Sequence, residues 1–81
     1  MNSSKLKSCF NQSLGIPVEQ VIDELSYNTI PEWDSVGHMA LVAEIESAFD
    51  VMLDTDDILA MSSVARAREI LSKHGVAFDA A

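Results

Sequence analysis

The stretch Glu32-Trp33-Asp34-Ser35-Val36-Gly37-His38-Met39-Ala40-Leu41-Val42-Ala43-Glu44-Ile45-Glu46-Ser47-Ala48-Phe49 decides how this chain folds. Asp34-Ser35 supplies an N-cap, because a short oxygen-bearing side chain can accept one of the first-turn N–H groups that a helix leaves unpaired. Leu41, Val42, Ile45, Ala48 and Phe49 then recur at three-to-four spacing, one apolar stripe of an amphipathic helix. Gly37 in the first turn is expected to cost up to about 1 kcal/mol relative to alanine, a tolerable amount.

Upstream, Ser3 or Ser4 can cap a first helix carrying Leu6, Cys9 or Phe10, and Leu14 on its apolar side. Gly15 stands where a left-handed residue would end it, and Ile16-Pro17 discourages continuation. Val18, Val21, Ile22 and Leu25 repeat as in a short helix or helical turn. Ser26–Trp33 lacks either period and is read as loop, held to the body by Ile30 and Trp33. Downstream, Val51-Met52-Leu53 is a brief link, and Asp54–Met61 is a short third helix with aspartates at its positive end. Ser62 or Ser63 caps a last helix with Val64, Ala67 and Leu71 on one face. Gly75 ends that helix, and Val76–Ala81 is expected to be a frayed tail. The fold class is therefore all-α: one domain over residues 1–81, three main helices and a short third one, with a folded core at about 4–75.

Eighty-one residues carry 13 acidic and 5 basic side chains, a formal charge of −8. That balance argues against nucleic-acid binding, which needs a basic stripe to neutralise phosphates. It equally disfavours an anionic membrane surface. The longest apolar run, Met39–Ala43, is far below the roughly 20 residues that span a bilayer. Met1–Phe10 lacks the basic start and apolar stretch of a secretory signal. The lone Cys9 cannot form an internal disulfide and is expected to be a small core residue. A soluble, cytoplasmic, monomeric module is the expectation.

Ser35 and His38 are three apart on one helix, but nucleophilic catalysis also needs an orienting acid, an oxyanion site and a cleft. No such set is visible, so His38 is read as an exposed helical histidine and catalysis by the chain is not expected. Asp54-Thr55-Asp56-Asp57 resembles the opening of a calcium loop, yet Leu59 and Ala65 stand where that loop needs glycine and glutamate. No metal site is expected, since His38 and His74 also lack ligand-spaced cysteines. What remains is a capped serine, placed after a long loop at the start of an acidic amphipathic helix.

With those residues in view, the sequence resembles the acyl carrier protein family. Asp34-Ser35-Val36 matches that family's Asp-Ser-Leu attachment triplet with a leucine-to-valine change. The similarity continues through Gly37–Phe49, Val51-Met52-Leu53-Asp54 and Ser62-Ser63-Val64, covering roughly residues 4–75. Trp33-Asp34-Ser35 with His38 is most similar to specialised, stand-alone bacterial carriers, and lacks the glycines that peptidyl carriers place before their serine. The resemblance implies a four-helix carrier bundle and a 4′-phosphopantetheine arm attached to Ser35 by a separate phosphopantetheinyl transferase. Asp34 would cap the helix and contact that transferase. The role implied is delivery of acyl groups to acyl-activating, ketosynthase or acyltransferase enzymes of a lipid, polyketide or other acyl pathway. The alternative from another class is a small acidic interaction adaptor without a prosthetic group.

Ser35, Met39, Ala43 and Glu46 share one face of the helix, with Val36 at its top and Glu44 beside it. By resemblance this face docks on basic patches of partner enzymes, where acidic charge speeds encounter. Gly37, Ala40 and Ser47 stand where fatty-acid-synthesis carriers commonly have acids, which favours dedicated partners. Leu41, Val42, Ile45, Phe49, Leu53 and Met61 are the candidates for an acyl pocket within the core. Met52 and Met61 could adapt around a chain, because thioethers fill irregular gaps.

Overall fold

The computed structural model describes residues 2–78. In chain order it contains α1 (Asn2–Leu14), α2 (Ser35–Phe49), α3 (Thr55–Ala60) and α4 (Val64–Lys73), with one 3-10 turn at Val18–Gln20 in the long connection. Among the described residues there is no strand, only an isolated antiparallel bridge between Ser26 and Ser63. The architecture is the all-helical bundle that the periodicities predict.

α1 turns Leu6, Cys9, Phe10 and Leu14 inward and packs on α2. It starts before the expected cap: Asn2 is already helical, so Ser3 and Ser4 lie inside the first turn. The Asn2 amide donates to the Ala77 carbonyl, which ties the helix start to the far end of the chain. Gly15, at φ +71°, closes α1 in the left-handed conformation that glycine adopts without a Cβ penalty.

The connection after α1 takes the smaller of its two expected forms, a helical turn and not a short helix. Only Val18–Gln20 is helical; Val21 and Leu25 are buried, but Val18 and Ile22 face solvent. Past this turn the backbone bonds elsewhere. Tyr27 N–H donates to Ser62 O at 2.8 Å, and Val64 N–H donates to Leu25 O at 3.0 Å. The loop is thus laced to the start of α4, which satisfies groups that a helix would have paired internally. Trp33 anchors it as expected: fully buried, it meets Phe10 edge-on at 5.2 Å, and Ile30 is half-buried beside the core.

The three later helices begin with a side-chain cap. Asp34 Oδ1 accepts from Gly37 N–H at 2.8 Å, Asp54 Oδ1 from Asp57 N–H at 2.8 Å, and Ser63 Oγ from Arg66 N–H at 3.1 Å. α3 is therefore one residue shorter at each end than Asp54–Met61, with those two residues as its caps. α2 ends on Asp50, held at φ +54° with its N–H on the Glu46 carbonyl. α4 buries Val64, Ala67, Ile70 and Leu71. Beyond Gly75 the chain does not fray over its described part. Val76 N–H donates to Leu71 O, Val76 and Phe78 pack against the core, and the Phe78 ring lies 6.1 Å from that of Phe49. The rest of the expected tail, 79–81, lies outside the described residues. Among the described residues no helix is long and apolar enough to cross a membrane.

Candidate functional site

Ser35 is the first residue of α2, directly after its capping aspartate. Its side chain is exposed, and among the described residues its hydroxyl has no hydrogen-bond partner. Asp34 Oδ1 takes the Gly37 N–H, and the Asp34 carbonyl takes the His38 N–H at 2.7 Å. Among the described residues the N–H groups of Ser35 and Val36 have no such partner, and they stand at the positive end of a 15-residue helix. A phosphodiester on Ser35 would meet those groups, so the residues present fit a phosphate-linked arm.

The wall behind Ser35 is built by His38. The Trp33 indole N–H donates to His38 Nδ1 at 2.9 Å. With Nδ1 accepting, the ring proton sits on Nε2, which donates to the Ile58 carbonyl at 2.8 Å. This bond meets a carbonyl near the end of the six-residue α3, where the Met61 N–H reaches it only at 3.4 Å. Tyr27 packs edge-on against the imidazole at 5.4 Å. His38 is therefore a partly buried bridge between loop, α2 and α3, and the expectation of an exposed histidine is corrected. Both its nitrogens are engaged, and it makes no hydrogen bond to Ser35.

A cavity of about 320 Å³ opens beside Ser35, walled by Tyr27, His38, Met39, Ile58, Leu59 and Met61. Of the six pocket candidates only Met61 reaches it. Leu41, Val42, Ile45 and Leu53 pack in the closed core, and Phe49 lies against Phe78 with the Lys5 ammonium 5.2 Å from its ring centroid. Periodicity finds the buried stripe but not the residues beside the serine. Tyr27 and Ile58 belong to segments whose placement next to α2 is a tertiary matter. The one sequence signal was the Trp33–His38 spacing, which carries no meaning until the loop turns back on the helix.

The face proposed for docking is exposed where it is apolar. Val36 and Met39 are 77% and 55% accessible, and Ala43 and Glu44 are also open; Leu59 of α3, outside the expected face, is 76% accessible. Glu46 differs, because its carboxylate accepts the Leu53 N–H at 2.9 Å and so secures the link after α2. Gly37 also differs from its reading as a replaced acid. A Cβ there would lie 2.2 Å from the Glu32 carbonyl oxygen and 3.0 Å from a Leu14 methyl, so no side chain of any charge fits.

Two aspartates at the start of α3 have structural work. Asp54 caps the helix, and the buried Asp57 accepts from Lys73 Nζ at 2.8 Å and from His74 Nε2 at 2.7 Å. Those two bonds hold the Asp57 carboxyl at about 2, below its ordinary 3.8, and raise the Lys73 ammonium. Cys9 is buried on α1; burial first, and then the nearby Glu44 charge, push its thiol up to about 11, against a smaller opposing effect of Lys5.

No protein-family model matches the chain, and no solved structure gives a significant match. One curated protein does match: an acyl carrier protein of Karelsulcia muelleri (strain GWSS), 30% identical over 71 residues that span 88% of this chain and 86% of the relative. At that identity and coverage, with an all-helical bundle that presents an open serine on a capped helix start, the chain belongs to the acyl carrier protein family.

Proposed function

We propose that this chain carries acyl groups on a 4′-phosphopantetheine arm attached to Ser35 and is a substrate, not a catalyst, in the reactions it serves. The observation that carries the reading is the Ser35 hydroxyl, exposed and unbonded at the first position of α2. The arm supplies a thiol on which acyl groups travel as thioesters. The chain's own part is to hold the attachment point rigid, through the Asp34 cap, the Trp33 anchor and the His38 bridge. Ser35 and Val36 N–H groups would hold the phosphodiester.

Asp34 remains exposed enough to be touched by the transferase while it caps α2. Val36, Met39, Ala43 and Glu44 form the surface offered to acyl-activating, ketosynthase or acyltransferase enzymes, with apolar contact at the top and acidic steering around it. Leu59 extends this surface from α3. We assign the chain to the specialised, stand-alone bacterial carriers, acting as a cytoplasmic monomer with dedicated partners in a lipid or polyketide type of pathway.

The test is an intact mass after incubation with coenzyme A and a broad-specificity phosphopantetheinyl transferase, followed by fragmentation. One phosphopantetheine on Ser35, absent from Ser35→Ala, is the expected result. A folded protein that takes no adduct from several transferases would move the assignment to an adaptor without a prosthetic group.

A further inference from the structure

His38 lies one turn into α2 from Ser35, where the cavity meets the seam between α2 and α3. Its ring crosses that seam: Nδ1 takes the Trp33 indole proton on one side, and Nε2–H reaches the Ile58 carbonyl of α3 on the other. Tyr27 braces the ring edge-on. Leu41 and Ile45 are wholly buried and take no part in the cavity wall, and of the wholly buried core residues only Met61 lines it. A hydrocarbon chain passing deeper between α2 and α3 would have to part the His38–Ile58 bond. It would leave an N–H and a carbonyl facing hydrocarbon, the arrangement that buried polar groups avoid.

Resting on the carrier reading above, we propose that His38 sets the size of the cargo. It confines the group borne on Ser35 to the cavity walled by Tyr27, Met39, Ile58, Leu59 and Met61, so that the chain accepts short acyl groups and leaves long saturated ones unsheltered. His38 acts as a specificity-determining residue by closing a path. It takes no part in bond making.

The experiment loads wild type and His38→Ala, each already carrying the arm, with butyryl, octanoyl and hexadecanoyl groups. It reads the thermal midpoint and the rate of thioester hydrolysis for each. In wild type, butyryl raises the midpoint above that of the unacylated form and slows hydrolysis, and longer chains add nothing. In His38→Ala the midpoint keeps rising to hexadecanoyl, and hexadecanoyl hydrolysis slows several-fold relative to wild type. A purely structural histidine would lower every midpoint equally and leave the chain-length profile unchanged; that result overturns the proposal. A wild-type midpoint that climbs steadily with chain length also overturns it, and needs no variant to fold. Failure to accept the arm at all overturns the carrier reading itself and is seen by mass before any acyl group is added.

Discussion

Gly37 and Glu32 touch backbone to backbone: a Cβ on Gly37 would fall 2.2 Å from the Glu32 carbonyl oxygen. This contact presses the end of the long loop against the first turn of α2 and sets the angle at which Asp34 and Ser35 leave it. The alanine that helix propensity favours is thus the wrong residue here. Gly37→Ala must push the loop away, an overpacking that costs about 1–3 kcal/mol. Denaturant unfolding should show a lower midpoint with an unchanged slope, and transferase acceptance at Ser35 should slow with it. An unchanged or raised midpoint would show that the loop yields freely.

Trp33→Phe keeps most of the aromatic bulk but removes the proton that His38 Nδ1 accepts. An unmade hydrogen bond at a part-buried acceptor costs about 1–3 kcal/mol, beyond any loss of packing against Phe10. The variant should lose stability, and its His38 ring resonances should show a changed balance of the two tautomers. Retained wild-type tautomer signals would mean that the Ile58 carbonyl alone orients the ring.

Asp57 links α3 to the last turn of α4, and its pH behaviour follows from sign. Its native carboxyl titrates at about 2 against an ordinary 3.8, so the unfolded chain takes up the proton first as pH falls. The stability from this group is complete above pH 3.8 and drains away toward about 2. Asp57→Asn should lower the thermal midpoint at neutral pH and flatten its decline across that acid window. Parallel wild-type and variant curves would assign the acid loss to other carboxylates.

Cys9 supplies a stoichiometric check. Buried, and with its thiol raised to about 11, it should be silent to thiol reagents in the folded protein at neutral pH. Titration should therefore read no thiol before arm attachment, one after it, and two on unfolding. Prompt reaction of the unmodified folded protein would reveal that α1 opens readily.

Some of this was open to reading along the chain, and the reason is locality. Caps act over three residues, so Asp34, Asp54 and Ser63 announce α2, α3 and α4 directly. The stripe of Leu41, Val42 and Ile45 has a helical period that burial must satisfy. Ser35 was legible for the same reason, as a serine at the first turn of the best-capped helix. Elements that depend on distant partners were not. Val18–Leu25 carries a helical spacing, yet its Asp23 and Leu25 carbonyls accept from Ala65 and Val64 of α4, and Val76–Phe78 docks although nothing in its own residues demands it.

By itself, then, the sequence determined the helices, their order, the acidic character and the serine, because each rests on neighbours a turn or less away. Only the tertiary structure decided what surrounds that serine. The cavity is assembled from a loop, α2 and α3, and His38 becomes a bar across it only when Trp33 and Ile58 arrive at its two nitrogens. A hydrogen bond between residues 20 positions apart leaves no periodic trace; it exists once the core has closed and water can no longer serve both groups.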